Sequence, residues 1–453
     1  MSLFFSRRQI KVFLHSPWIG QTFYYLLEQT TNRILDAGVI VALVWVLSEP
    51  EFGLFSVYQS WAAILLFLFP ETDDALYRNY AYLKKRKILA REMLSYRFFN
   101  WIKIALAFVF CLLFPLFDHG QNYSTKVIIF TCAIVISFSH SFFGFLRKPL
   151  RLEMNQRMVV VVGAFQRLSL ILMIFLTKYL KPESLWLAGM VILNYFIFGF
   201  VWKKKNKKLF KKQKLHVKKA LKRMWVLFSG TALWLHLNWV ASQAAQSLDT
   251  FALGFYKNDL KEIGFYSIAN RASTFFQVIQ IVMIAAFKVY LGRANVNRKK
   301  EVNLVFKFTL IFFILSFFLY FLAELTAAPL LQFFSSGKLG IEELHRTIQY
   351  FRWQVIGTLI FCICLPVYTY LSVREGLKNV TLFVFAPSFL SSILVYFYSA
   401  IPAEDFSNIL QTAKANLFVD FFTVFLLFAY FAKFTFRKKS GLFWNVFLRR
   451  SNV

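Results

Sequence analysis

Three observations predict an all-α integral membrane protein of about twelve spanning helices in two halves of six. Long apolar runs recur along the 453 residues, 58% of which are hydrophobic. Lysines and arginines fall in alternate gaps between those runs. A basic block, Lys203–Arg223, then divides the runs into two equal sets. A soluble chain has too little polar surface to cover so many apolar side chains, and the mean hydropathy of +0.54 agrees.

A span needs about twenty mostly apolar residues at 1.5 Å each. That rule places spans near 20–47, 54–77, 98–117, 126–146, 158–178 and 183–202, and after the basic block near 226–255, 264–291, 304–325, 350–373, 379–399 and 412–433. The domains are then 1–202 as a first lobe, 203–224 as a basic cytoplasmic linker, and 225–453 as a second lobe with a basic tail. One set of gaps carries Arg7, Arg8, Lys11, the Arg78–Arg97 stretch, Arg147, Lys148, Arg151, Arg157, Lys203–Arg223, Arg293, Arg298, Arg374, Lys378 and the tail. The other set carries Ser48–Gly53, DHGQNYSTK, KYLKPES, YKNDLKEIG, SSGKLGIEELHR and SAIPAEDFSN. The first set holds about 38 basic residues and the second about 7, so the first faces the cytoplasm and both termini are cytoplasmic. The net charge of +31 is thereby assigned to loops facing anionic headgroups, not to nucleic acid.

The first apolar run lacks a small-residue cleavage site, so no cleaved signal is expected. Cys111, Cys132, Cys362 and Cys364 all fall inside spans without metal spacing, and no cofactor motif or P-loop occurs. The gaps leave no room for a soluble catalytic domain, so the chain is not expected to be an enzyme.

The halves carry a weak repeat. Leu35-Asp36 precedes Glu51-Phe52-Gly53-Leu54-Phe55-Ser56-Val57, and Leu248-Asp249 precedes Glu262-Ile263-Gly264-Phe265-Tyr266-Ser267-Ile268. An acidic residue late in an odd-numbered helix and an E-x-G-aromatic-S turn recur at the first hairpin of each half. Six plus six spans imply parallel repeats about an axis along the membrane normal.

These features resemble the multidrug/oligosaccharidyl-lipid/polysaccharide exporter (MOP) superfamily, and within it the polysaccharide/O-antigen (Wzx-like) flippases. The first helix leading to EFGLFSVYQS and the seventh-helix ending SLDTFALGFY before EIGFYSIANRAS carry the resemblance, which covers essentially the whole chain. The outer turn S-E-P-E-F-G departs from a plainer L-G-x-x-x-Y-G. The resemblance implies two six-helix lobes arranged as a V around a central cavity. It also implies flipping of an undecaprenyl-pyrophosphate-linked oligosaccharide from the inner to the outer leaflet of a bacterial cytoplasmic membrane. Partners would be the lipid-linked glycan, membrane lipids, H+ or Na+ as coupling ion, and glycan polymerase or export machinery.

Ionisable residues inside spans are costly and therefore mark function. Lys103, Lys288, Lys307, Lys414 and Arg352 lie near span ends and can snorkel. Arg33, Arg167 and Arg271 lie deeper. A pyrophosphate suits arginine, whose forked geometry grips phosphate bidentately. Glu28, Asn32 and Asp36 form a stripe on the first helix, beside Gln29 and Arg33. Ser242, Gln246 and Asp249 form another on the seventh, near His236 and Gln243. Asn270, Ser273, Gln277 and Gln280 form a third on the eighth, flanked by Arg271. The expected substrate-binding residues are therefore Arg33, Arg167, Arg271, Asn32, Asn270, Gln277 and Gln246. Trp225, Trp234, Trp239, Tyr256 and Tyr266 offer faces for sugars, although most aromatics here serve packing. Asp36, Asp249 and Asp420 are candidates for ion coupling, with Asp36 and Asp249 at equivalent places and Arg33 and Arg271 as alternative structural partners. Two other readings stand beside this one: a cation-coupled multidrug exporter of the same superfamily, and a membrane glycan polymerase or acyltransferase.

Overall fold

The computed structural model describes residues 17–65, 123–152, 156–180, 184–205, 247–256, 258–293, 298–374, 377–401 and 407–437, with isolated positions between them. Among these the regular structure is all helical. The first half contributes α1 (Pro17–Val46), α2 (Glu49–Leu65), α3 (Tyr123–Leu152), α4 (Gln156–Leu180) and α5 (Ser184–Lys205). The second contributes α6 (Leu248–Phe255), α7 (Leu260–Phe275), α8 (Val278–Arg293), α9 (Arg298–Phe334), α10 (Ile341–Ile363), α11 (Leu365–Arg374) and α12 (Leu377–Val380). A π-helical turn at Thr381–Phe385 then leads into α13 (Ala386–Ser399), followed by α14 (Ser407–Arg437). Five described helices are long and apolar enough to cross a membrane, or six if the bent pair α10–α11 is one span. The chain is a multi-pass membrane protein. Half of the expected span 98–117, more than half of 226–255 and the end of 54–77 lie outside the described residues, as do Gln246 and the block at 206–216.

Two expected continuous spans are interrupted. The run 264–291 divides into α7 and α8 at Phe276–Gln277. Just before the break, the hydroxyls of Ser273 and Thr274 donate to the carbonyls of Asn270 (2.7 Å) and Arg271 (2.8 Å). Such back-bonding competes with the helical ladder and bends helices. The run 350–373 bends by 41° between α10 and α11. There Pro366 lacks an N–H and crowds the carbonyl four residues back, while the Cys364 thiol donates to the Phe361 carbonyl.

Both lobes place the α1–α2 and α6–α7 hairpins at one end of the bundle, called here the hairpin end. The other is the basic end. In the first lobe α1 packs on α4, α2 on α3, and α5 on both α3 and α4. In the second, α10 packs on α7, α9 and α14. A single apolar core, running from Val39, Leu43, Phe55 and Phe130 to Tyr266, Leu319, Phe351 and Val419, joins the two lobes in the hairpin half. In the basic half a second cluster, centred on Phe287, Leu291, Tyr370, Val384 and Leu427, belongs to the second lobe alone. Among the described residues the apolar core shared by the lobes lies in the hairpin half, and in the basic half the lobes touch where α8 packs against α1.

Candidate functional site at the seam between the lobes

The lobes meet where α2 crosses α7, and the repeat supplies both surfaces. A Cβ on Gly53 would overlap the Leu260 carbonyl, and a Cβ on Gly264 would lie 3.1 Å from the Glu49 carbonyl oxygen. Each glycine thus abuts the residue one turn before the other glycine. One constant offset relates Glu49 to Leu260, Glu51 to Glu262, Gly53 to Gly264 and Ser56 to Ser267. The crossing is therefore a pseudo-two-fold contact, and at Gly53 glycine is required because a side chain would run into the Leu260 backbone. The Ser56 and Ser267 hydroxyls, one turn deeper, are both buried without a hydrogen-bond partner among the described residues.

Polar contacts latch this crossing. Helix α1 ends at the seam with carbonyls that have no partner within the helix. Lys338, from the loop after α9, donates to the carbonyls of Leu47 (2.7 Å) and Val44, placing a cation where a helix C-terminus favours one. Its neighbour Ser336, at φ 55°, donates to the Val41 carbonyl at 3.2 Å. A serine in left-handed backbone is uncommon, and Gly337 follows it at φ 72° to complete the turn. Lys261 bridges Glu49 (3.0 Å) and Glu343 (2.6 Å). Between these groups, Val44, Leu47, Phe52, Phe265, Ile268 and Leu339 enclose only about 10 Å³, at the lower limit for one water. The seam is closed at the hairpin end.

Roughly 9 to 10 Å deeper along the same helices, Arg271 of α7 donates to the Gln59 side chain of α2 across the lobe boundary. The offset that pairs the glycines also pairs Gln59 with Asn270. Gln59 was not singled out in the sequence, although it stands in the repeat segment itself.

The other candidates separate into two groups. In the first lobe, the stripe on α1 is mated to α4. Glu28 accepts from Gln156, and Asn32 is buried beside Gly163 and Arg167. Asp36 accepts from Arg167 Nε at 2.6 Å with its own side chain 52% exposed. The intrahelical pair Arg33–Asp36 is thus replaced by a pair between helices, and Arg33 is exposed.

In the second lobe, Asp249 is buried. It accepts from the Tyr266 hydroxyl (2.6 Å), the Thr250 N–H (2.6 Å), and the amides of Asn270 and Asn416 (3.3 Å each). Asn416 also donates to the Tyr266 hydroxyl at 2.8 Å and accepts from Tyr396. Asp420, one turn beyond Asn416, fits against Gly357, where a Cβ would lie 2.6 Å from its carboxylate oxygen. Asn270 therefore belongs to the carboxylate network, and Arg271 is bonded to Gln59 instead of Asp249. Asp36 and Asp249 differ by two residues from the offset of the repeat and occupy unlike surroundings, so they are not equivalent. Gln277 is half-buried at the helix break, while the buried Gln280 donates its amide to Ser316 at 2.7 Å. The i, i+4 pair Asn416/Asp420 was the available signal for this network.

No protein-family model matches the chain, and no curated protein matches it in sequence. Solved structures do match. The lipid II flippase MurJ in an inward closed conformation aligns with a TM-score of 0.64 at 16% identity, covering 91% of this chain and 87% of that one. An inward-facing multidrug resistance MATE family transporter of the MOP superfamily gives 0.58 at 13%, covering 93% and 96%. The chain has the MOP-transporter fold. A third member, from Pyrococcus furiosus and described as having a binding pocket of reversed polarity, gives 0.53 at 12%, covering 92% and 96%. The all-α, two-lobed V expected of the chain is this MOP fold.

Proposed function

We propose that this chain is a flippase that moves an undecaprenyl-pyrophosphate-linked oligosaccharide between leaflets by alternating access. The observation that carries this reading is Arg271, a cation held by a neutral glutamine across the lobe boundary, just beneath a closed seam. A guanidinium bonded to an amide keeps its charge available to an anion, and prying the lobes apart frees it further. Arg33, exposed on α1, adds a second cation. Arg167 is neutralised by Asp36 and acts by holding that carboxylate. Similarity to a lipid II flippase supports the substrate class.

In this reading the basic end faces the cytoplasm of a bacterial inner membrane, an orientation that the distribution of lysine and arginine supports. Both termini then lie inside and the closed seam faces out. Asp249 and Asp420, bracketing Tyr266 and Asn416, form the coupling site for H+ or Na+. A carboxylate with neutral oxygen and amide neighbours suits either a proton or a small hard cation.

A second reading is a cation-coupled multidrug exporter. The half-exposed Asp36 favours it, as do the MATE-type neighbours. The deciding experiment is the leaflet location of lipid-linked glycan in cells depleted of this protein. Accumulation on the cytoplasmic side with loss of surface polymer is expected. Normal glycan with raised sensitivity to cationic drugs would favour the exporter, and flipped but unpolymerised glycan a polymerase.

A further inference from the structure

Three of the described cations at the hairpin end are held by the latch. Lys338 caps α1, Lys261 bridges two glutamates, and Arg346 pairs with Glu262 at 2.7 Å. Arg352 and Lys414 are not part of it. They line a cavity of about 400 Å³ between α9, α10 and α14, together with Tyr320, Gln349, Trp353 and Ile356. That volume falls within the range of small-molecule sites.

The cavity opens to lipid. Lys414 shares a stripe of α14 with Phe418, Phe421 and Phe425, all exposed, and α9 beside Tyr320 exposes Phe317, Phe318 and Phe321. Bare phenylalanine stripes on spanning helices face acyl chains, whereas the space between lobes is bordered by Gln59, Arg271 and Asp36. Arg352 lies about 17 Å from the start of α10, and Lys414 about 11 Å from the start of α14. The first turns of α10 hold Glu342, Glu343, His345 and Arg346, which belong in the headgroup zone. The two cations therefore sit a turn or two beneath it.

Their charge is not balanced. Glu324 accepts from Arg352 Nε at 2.9 Å, which leaves the terminal guanidinium nitrogens without a partner among the described residues. Lys414 lies 5.7 Å from the Trp353 ring, with no described carboxylate in ion-pair reach. Two cations thus face one carboxylate in a lipid-facing cavity, where an uncompensated charge is costly. A lipid phosphate at that depth would supply the compensating anion.

We propose that this groove binds the phosphate of a lipid in the leaflet at the hairpin end. Arg352 and Lys414 take the phosphoryl oxygens, and the acyl chains follow the phenylalanine stripes. Only the naming of that leaflet as the outer one rests on the orientation proposed above. The phosphate has two sources: a resident phospholipid, or the pyrophosphate of a lipid-linked cargo leaving the transporter.

The test is lipid retention by the full-length protein, read by native mass spectrometry after extraction from vesicles of equimolar phosphatidylglycerol and phosphatidylcholine. A parallel arm adds undecaprenyl pyrophosphate, and another offers inorganic phosphate alone. The wild-type chain should retain phosphatidylglycerol or undecaprenyl pyrophosphate over phosphatidylcholine, and whichever is retained identifies the source. The Arg352→Gln/Lys414→Gln variant should lose that retention by roughly tenfold, as expected for two charge-assisted contacts. Lys414→Arg, which keeps the charge, should preserve it and guards against a folding defect. Equal retention by the double variant, no preference over phosphatidylcholine, or binding of inorganic phosphate without lipid would each overturn the proposal.

Discussion

Replacing Gly53 by alanine should unlatch the seam, while the same change at Gly264 should barely disturb it. Alanine is the better helix former by about 1 kcal/mol, but that gain is shared by open and closed states and drops out of the equilibrium between them. The contact at the crossing is what remains. At Gly264 the new methyl would sit 3.1 Å from the Glu49 carbonyl. A shift of a few tenths of an ångström relieves this, at a cost of roughly 0.5 kcal/mol. At Gly53 the methyl would overlap the Leu260 carbonyl, which is backbone and cannot rotate aside. The helices must separate, and overpacking of this kind costs about 2 kcal/mol. The closed-to-open ratio should then fall about 30-fold for Gly53→Ala and about twofold for Gly264→Ala. Ser335, 1% exposed and lining the seam, provides the probe. In a chain stripped of its native cysteines, Ser335→Cys should react with a membrane-impermeant maleimide in proportion to the open fraction. Equal acceleration by the two alanines, or none with Gly53→Ala, would refute the crossing geometry.

Other substitutions probe separate parts of the account. Lys338→Met removes two charge-assisted bonds from the end of α1 and should raise the labelling rate at Ser335→Cys by about tenfold, from roughly 1.5 kcal/mol; an unchanged rate would show that the cap does not hold the seam. Ser56→Ala removes a buried hydroxyl without a partner and should stabilise the closed form by about 1 kcal/mol, seen as slower labelling. Arg271→Ala should abolish transport while the protein still inserts, and normal export by that variant would remove Arg271 from the substrate site. Asp249→Asn should change the dependence of transport on the proton or sodium gradient, and an unaltered dependence would make Asp249 a structural residue.

The fold was legible because the bilayer constrains sequence so strongly. Apolar runs of spanning length, a basic block between two sets of six, and hairpin motifs at matching places together define a two-lobed bundle. The helix breaks were less legible. Pro366 signals the bend at α11, but the break after Phe275 comes from Ser273 and Thr274 bonding their own helix, which residue identity leaves undecided between solvent, neighbour and backbone. The site was half legible for a related reason. Helical spacing shows that Glu28, Asn32 and Asp36 share a face, yet not which helix that face meets. The partner proved to be α4, through Gln156 and Arg167. Asn270 and Arg271 are adjacent in sequence and point to different tasks, one to Asp249 and one to Gln59. Gln59 became visible only once the two repeat segments were seen to cross, since a glutamine beside an aromatic run carries no signal by itself.

The central claim is that the lobes pass a lipid-linked pyrophosphate between leaflets. It is tested most directly by reconstituting the purified chain in liposomes carrying a labelled undecaprenyl-pyrophosphate oligosaccharide on the inner leaflet only. The account predicts that the oligosaccharide becomes accessible to an external glycosidase with the wild-type chain and stays protected with Arg271→Ala. Protection equal to that of empty liposomes, with transport of an organic cation instead, would contradict it.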